Sequence, residues 1–390
     1  MNYFMEGKII KMKIVYFTHY TDLYGANRSL IEIVSNIRNK EVIPIVITPN
    51  YGEINKELDV LGILNYSFNY YCWVVPINCG ELKRKLLYLR YKFRNYISSI
   101  KISSFLRNLN IDIIHSNSSV IDIGAKVAEI LKVKHIWHIR EFGREDYNLE
   151  FFINKKSAVN YILEKSNAVI CISKCIENSY FSNIQNEKIK VIYNAVDMLM
   201  NSINKNLKKS NKLNIIIAGS IIKSKNQLEL IRAYSKIDKE IRKNIYIDIV
   251  GDGDISYIDN INKIIVSNNF QENIKFLGFI RDIKSIYYKY HIGVVTSLKE
   301  GFGRVTVEYM MNNIIPIVSD SGANNEIVNN GVNGFIYKLG DYENIASIIT
   351  YLYNDHEKIE KILNKAQEDA YEKFNIDRLI FNLVEVYNTI

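Results

Sequence analysis

The sequence predicts an α/β fold made of two doubly wound halves. Three observations carry this. Short, continuously apolar runs alternate with longer helical patterns, as in parallel sheets covered on both faces. The alternation stops at one polar stretch. It then restarts and runs almost to the end of the 390 residues.

The elements follow in order. MNYFMEGKIIK (1–11) reads as a short extension, because Glu6, Lys8 and Lys11 interrupt its apolar residues and make it a poor signal peptide. KIVYFT (13–18) is a buried first strand, and a helix follows over 26–38. VIPIVIT (42–48), DIIHS (112–116), HIWHI (135–139), AVICIS (168–173) and IKVIYN (189–194) are further strands, most with helical stretches between them. Residues 198–212 are polar, basic and aperiodic, which is the pattern of a linker. Strands then recur at LNIIIAG (213–219), IYIDIVG (245–251), NIKFLG (273–278), HIGVVTS (291–297), IIPIVS (314–319) and GFIYK (334–338). Helices are expected from Gln227, around 256–268 and from Val305, and 341–390 is helical and charged. The expected domains are 1–197, a linker at 198–212, and 213–373. A last helix, 374–390, is expected to pack back toward the first domain.

Composition narrows the class. Hydrophobic residues are 48% and charged residues 24% of the chain, which excludes a disordered polypeptide. No run of about 18 apolar residues is present to span a membrane. Cys72, Cys79, Cys171 and Cys175 form no CxxC pair, so neither a zinc site nor a disulfide framework is expected, and free thiols suit the cytoplasm. The net charge of +8 suits anionic partners without choosing among them, and no nucleic-acid motif is present.

In open α/β sheets ligands bind beyond the carboxyl ends of strands, so the loops there carry the candidates. Two facing halves would place a cleft between them. Tyr24-Gly25-Ala26-Asn27-Arg28-Ser29 follows the first strand. Gly25 can bring its amide to a phosphate at a helix start, or serve only a tight turn. His138, Arg140 and Glu141 end the strand HIWHI. They can meet a sugar hydroxyl and take a proton, or form a buried histidine beside an ion pair. His115 is similarly placed and reads as structural. Ser220 to Gln227 carries Lys223 and Lys225 just before a helix that Asn226 is expected to cap, which suits a diphosphate or a solvated turn. The sharpest pattern is EGFGRVTVE, residues 300–308. Gly301 and Gly303 flank Phe302, a helix begins near Arg304 or Val305, and Glu300 and Glu308 stand at either end. Carboxylates accept hydrogen bonds from vicinal hydroxyls, and exposed amides hold phosphate or sugar oxygens.

Taken in order, EGFGRVTVE, VSDSGANNEIV (318–328), GVNGF (331–335), VIYNAVD (191–197), IVGDG (249–253), FLGFIRD (276–282), YGANRS and HIREF resemble glycosyltransferase family 4, from about residue 13 to the end. The resemblance implies the GT-B architecture and a retaining, metal-independent transfer of a hexosyl unit. The donor implied is a nucleotide sugar, most simply a UDP-sugar, and the acceptor a glycan or a lipid-linked acceptor in cell-surface polysaccharide biosynthesis. By position, Glu300 would meet the donor sugar, Glu308 the ribose and Lys225 the diphosphate. The amides of Gly301, Phe302, Gly303, Arg304 and Val305 would hold the sugar. Ser220 and Phe279 would line the donor site, Phe279 near the base. Gly25 would approach the diphosphate, and His138 would touch the donor sugar. Asn27, Arg140 and Glu141 would face the acceptor. No metal or other cofactor is expected. Two departures stand out: Ser220 where the family commonly has Arg, and Met311-Asn312-Asn313 where it often has Gly, with an asparagine expected to take the positive φ. An epimerase or phosphorylase on the same fold, or a sugar-nucleotide-binding protein without activity, are the competing readings.

Residues 81–107 are rich in Lys and Arg, with Leu82, Leu86, Leu89, Phe93, Ile97 and Ile100 at helical spacing. This predicts either a basic amphipathic surface resting on anionic lipid at the inner face of the membrane, or an ordinary domain helix with a solvated basic face.

Overall fold

The computed structural model describes residues 11–196 and 212–390. The chain forms two compact units. One runs through Ala195 and takes up Ile376–Ile390; the other is Val196–Asn375. Residues 1–10 of the expected extension (1–11) and 198–211 of the expected linker (198–212) lie outside the described residues.

The first unit holds β1 (Met12–Phe17), β2 (Val42–Thr48), β3 (Leu64–Ser67), β4 (Val74–Pro76), β5 (Ile113–Ser116), β6 (Lys134–Ile139), β7 (Leu149–Phe151), β8 (Ala168–Cys171) and β9 (Ile189–Val191). Seven of them make a parallel sheet ordered β3-β2-β1-β5-β6-β8-β9. The central strand shows why its residues are apolar throughout. Side chains alternate between the two faces of a strand. Ile14 and Tyr16 join a core with Leu30 and Ile33 of the helix Gly25–Ile37 and with Leu379 and Leu383 of the helix Ile376–Thr389. Val15 and Phe17 join the opposite core, with Ile102, Leu106 and Val127. Full burial of such a side chain contributes about 1.5–3 kcal/mol.

The second unit holds β10 (Leu213–Ala218), β11 (Ile245–Val250), β12 (Ile274–Gly278), β13 (Ile292–Val295), β14 (Ile315–Ser319) and β15 (Phe335–Tyr337), ordered β12-β11-β10-β13-β14-β15 and again parallel. Each sheet reverses its winding direction once, between β1 and β5 in the first unit and between β10 and β13 in the second. The loops that leave these strands are the ones a ligand can enter.

Three strands escape the apolar pattern. β3 is LNYS, an edge strand that needs no buried run. β4 and β7, three residues each, pair antiparallel outside the main sheet. The ring of Trp73 holds them by packing on Trp137 and Phe151. Asn226 does not cap the helix that follows it. A 3-10 turn over Lys223–Lys225 comes first, and Asn226 turns left-handed at φ 53°. Its side-chain amide donates to Glu229 at 2.7 Å, and Gln227 occupies the cap position without a side-chain capping bond. At Met311-Asn312-Asn313 the expectation holds: Asn313 takes φ 55°.

The helix Glu81–Arg107 is built inside out. Its buried face carries Tyr91, Asn95, Ser98, Ser99, Ile102, Ser103 and Leu106. Asn95 exchanges two 2.8 Å hydrogen bonds with the backbone of Tyr71, and Tyr91 donates to Asp122. The apolar stripe points outward: Leu82 is 80% exposed, Leu86 69%, Leu89 63% and Phe93 66%. Ile100 is exposed as well, while Ile97 is half-buried. No helix among the described residues is long and apolar enough to cross a membrane.

Candidate active site

In the second unit the loops after β10 and β13 meet at the reversal point. Thr296 Oγ1 donates to the Lys225 carbonyl at 2.8 Å, and the Leu298 amide donates to the Ser224 carbonyl at 2.8 Å. The two loops thus hold Lys225 against Glu300. Lys225 Nζ lies 2.5 Å from Glu300 Oε1, which also accepts from Ser297 Oγ at 2.6 Å. The ion pair stays partly open to solvent, the Lys225 side chain at 34% and that of Glu300 at 15%. A cation and a carboxylate are therefore presented together beyond the strand ends, where a phosphate and a hydroxylated sugar can compete for them.

The segment after Glu300 is a turn with a buried anchor. Phe302 is buried, its ring edge-on to Phe374 at 5.7 Å. Gly303 turns left-handed at φ 83°, and the helix Arg304–Met311 begins immediately. This places Gly301, Phe302 and Gly303 ahead of the partial positive charge of a helix start, with Arg304 and Val305 in its first turn. One turn in, the buried Glu308 accepts from Tyr287 Oη at 2.9 Å and from Arg304 Nε at 3.1 Å. Arg304 thus folds back onto Glu308. Burial and the neighbouring carboxylate hold the Tyr287 hydroxyl well above the usual tyrosine range, so it stays a donor.

The loop after β14 buttresses this turn. Ala323 N donates to the Glu300 carbonyl at 2.9 Å, Ser319 Oγ to the Ser297 carbonyl at 2.8 Å, and Ser321 Oγ to the Leu298 carbonyl. Ser220 is exposed just after β10, and its carbonyl accepts from Gln227 Nε2 at 2.9 Å. Phe279, just after β12, is 59% exposed.

The first unit gathers its polar residues at its own reversal point. Gly25 opens its helix exposed, and a Cβ there would meet nothing within 4 Å, so packing within the unit does not demand glycine. Asn27 is buried. It accepts from Thr18 Oγ1 at 2.5 Å and donates to the carbonyls of Tyr20 at 3.0 Å and Asp22 at 2.8 Å. Oδ1 and Nδ2 of that amide are thus both engaged within the loop. Glu141 is buried, and its Oε1 accepts from Ser118 Oγ, Ser119 N and Ser119 Oγ at 2.9, 2.6 and 2.6 Å. Burial raises its pKa above the ordinary value.

Arg140 and His138 belong to a buried network. Arg140 donates to Asn117 Oδ1 at 2.7 Å, Asn194 Oδ1 at 2.6 Å and His138 Nδ1 at 3.3 Å. Burial lowers the Arg140 pKa to about 10, so the guanidinium remains charged at neutral pH. His138 Nδ1 also lies 3.1 Å from His115 Nε2, and His115 Nδ1 lies 2.8 Å from the Tyr387 hydroxyl. Burial, and then the charge of Arg140, hold both histidines well below the usual range, so both rings are neutral. Sequence reasoning missed Ser297, Tyr287, Asn194 and Tyr387. A serine three residues before Glu300 at a strand end was a readable signal; Tyr387 had none.

Two family models match the chain one after the other: glycosyltransferase family 4 over residues 24–198 and glycosyl transferases group 1 over 200–369. An uncharacterized glycosyltransferase of Methanocaldococcus jannaschii is 28% identical over 340 residues, covering 85% of this chain and 89% of its own. The capsular polysaccharide biosynthesis glycosyltransferase CapH of Staphylococcus aureus is 27% identical over 293 residues, covering 70% and 79%. The crystal structure of Anabaena HepE in complex with UDP superposes with a TM-score of 0.80 at 22% identity, covering 97% of this chain and 100% of that one. Both halves of the chain, and the fold that each half adopts, therefore answer to one description: it is a group 1, family 4 glycosyltransferase with the GT-B fold.

Proposed function

We propose that the chain transfers a hexosyl unit from a UDP-sugar to a lipid-linked glycan acceptor during assembly of a cell-surface polysaccharide, with retention of anomeric configuration. The observation that carries this reading is the Lys225–Glu300 pair at the reversal point of the second sheet, beside the 301–303 turn. Cleavage of a glycosyl–phosphate bond builds negative charge on the departing diphosphate. Lys225 and the amides ahead of the helix Arg304–Met311 supply fixed positive charge for it, so the reading requires no metal. Glu300 exchanges its bond to Lys225 for sugar hydroxyls, and Glu308 exchanges Arg304 for ribose hydroxyls, freeing that guanidinium toward the phosphates where Ser220 offers no charge. Phe279 flanks the base. In the first unit, Gly25 presents an amide with no side chain in its way, and His138 faces a substrate oxygen. Retention follows from front-face attack, with the leaving phosphate accepting the acceptor's proton. The naming of CapH as a capsular polysaccharide enzyme and the UDP held by HepE support the product class and the donor. A thermal-shift screen against sugar nucleotides tests the reading: UDP-sugars are expected to raise the melting temperature more than GDP-sugars. No shift with any sugar nucleotide would contradict it.

A membrane-borne acceptor fits the inverted helix Glu81–Arg107. At 3.6 residues per turn, the exposed Lys83, Arg90, Arg94 and Lys101 border one edge of the apolar stripe, and the exposed Lys85 and Lys92 border the other. An apolar strip between two basic rows is complementary to an anionic bilayer at the cytoplasmic face, where each basic residue contributes about 1 kcal/mol. The protein is expected to sediment with phosphatidylglycerol-rich vesicles at low salt and to release at high salt. The double substitution Leu86→Asp, Phe93→Asp is expected to weaken partitioning by more than about tenfold without lowering the melting temperature, since both side chains are already solvent-facing. Absence of binding at low salt would remove the membrane from the proposal.

A further inference from the structure

We infer that the C-terminal helix sets the protonation pattern of His138 through a relay of hydrogen bonds, which makes Tyr387 and His115 positioning residues for the transfer. The inference rests on the reading of His138 as a residue that faces substrate.

The directions of the bonds follow from one fact. A guanidinium has donors and no acceptor, so Arg140 Nη2, 3.3 Å from His138 Nδ1, can only donate. His138 Nδ1 is therefore unprotonated, and the neutral ring carries its proton on Nε2. His115 Nε2, 3.1 Å from that same Nδ1, must then donate as well. The two donors share one lone pair, in keeping with their lengths. With its proton on Nε2, His115 offers a bare Nδ1, and the Tyr387 hydroxyl donates to it at 2.8 Å. The Tyr387 oxygen can in turn accept from the Tyr16 hydroxyl at 3.1 Å. The reverse order would require Arg140 to accept. Every polar atom along the chain has a defined role except the last. His138 Nε2–H is buried and has no partner among the described residues.

A buried donor without a partner is costly unless something binds to it. Here the relay presents a fixed N–H at the carboxyl end of β6, where a sugar hydroxyl or phosphate oxygen can accept it. If the proton moved to Nδ1, it would confront two other donors, and Nε2 would offer a lone pair instead. The tautomer thus decides whether the site meets a substrate oxygen with a donor or an acceptor. Tyr387 is fixed by packing of the helix Ile376–Thr389 against Tyr16 and the β1 core. The position of that helix is thereby coupled to the chemistry of a ring 249 residues earlier in the sequence (387 minus 138).

The full-length protein labelled with 15N-histidine tests this by long-range 1H–15N correlation, which separates the two neutral tautomers. His115 and His138 are expected as Nε2–H, unchanged between pH 8 and pH 6. In Tyr387→Phe the donor to His115 is lost while the ring remains. Signals of the second tautomer are expected at both histidines, with kcat down about tenfold and the donor KM nearly unchanged. Tyr16→Phe removes a hydroxyl from the same core but leaves the Tyr387 donor in place, so the tautomers are expected to stay as in the wild type. His138→Gln keeps an N–H donor and is expected to retain more turnover than His138→Ala. A wild-type His138 with its proton on Nδ1, or tautomers indifferent to Tyr387→Phe, would overturn the relay whatever the turnover. Wild-type turnover in His138→Ala with the tautomer signals as expected would instead overturn the substrate-facing role on which the inference rests.

Discussion

Replacing Glu300 by Gln, or Lys225 by Ala, is expected to lower the transfer rate by about a hundredfold to a thousandfold, the scale of removing one preorganised charge-stabilising group. The fold should survive either change. The pair bridges two loops at the sheet's reversal point, and both partners retain solvent contact. Such pairs contribute less than about 1 kcal/mol to stability. The loops are held independently by the bonds from Thr296 Oγ1 and the Leu298 amide. Glu300→Gln keeps the side-chain shape and an oxygen for Ser297, so its loss isolates the charge. Because both residues act on one transition state, the double variant should be little worse than either single one. Melting temperatures measured alongside single-turnover rates check this. Wild-type turnover in both variants would refute the assigned roles.

Gly322→Ala is expected to disable the site from behind. Gly322 stands at φ 63°, a region that strains any residue with a Cβ, and an added Cβ would lie 2.1 Å from the Glu300 carbonyl oxygen and 2.7 Å from its amide nitrogen. Backbone cannot yield to such a contact as a flexible side chain does. Either Glu300 moves or the 321–323 turn opens and loses the bond from Ala323 N to Glu300 O. A shift of about 1 Å in a reacting group costs about a hundredfold in rate. The strained φ itself costs of the order of 1–3 kcal/mol, which lowers the melting temperature by several degrees. Gly331→Ala is the matched control. Its φ of 76° carries the same strain, but an added Cβ would meet nothing within 4 Å. It is expected to lower stability and spare turnover, and equal losses of turnover in the two variants would show that the Glu300 contact is irrelevant.

The two sheets were legible in the sequence because their central strands are buried on both faces, so IVYF and IIIA need no polar residue. β3, β4 and β7 were not, being short and lying at an edge or outside the sheets. For the helix Glu81–Arg107 the stripe was readable but its direction was not. The choice of inner face depends on partners far along the chain: Asn95 on Tyr71, Ser98 on the Asn69 carbonyl and Tyr91 on Asp122. The same limit applies to the candidate site. EGFGRVTVE located Glu300 and Glu308, since two glycines and two acids fall in nine residues. Asn27 and Glu141 were legible as polar residues at strand ends, but the partners of Glu141, Ser118 and Ser119, lie in another loop and no local pattern marks them. Tyr387 reaches His115 across 272 residues, and no local pattern marks it.

Calorimetric titration of UDP into the wild type and into Glu308→Gln tests the central claim most directly. Glu308 is buried against Tyr287 and Arg304 one turn above the 301–303 segment, where a ribose would have to meet it. UDP is expected to bind the wild type saturably and the folded variant at least about tenfold more weakly, and the variant's circular dichroism spectrum checks that the fold is retained. UDP that binds both proteins equally, or neither, would contradict the claim.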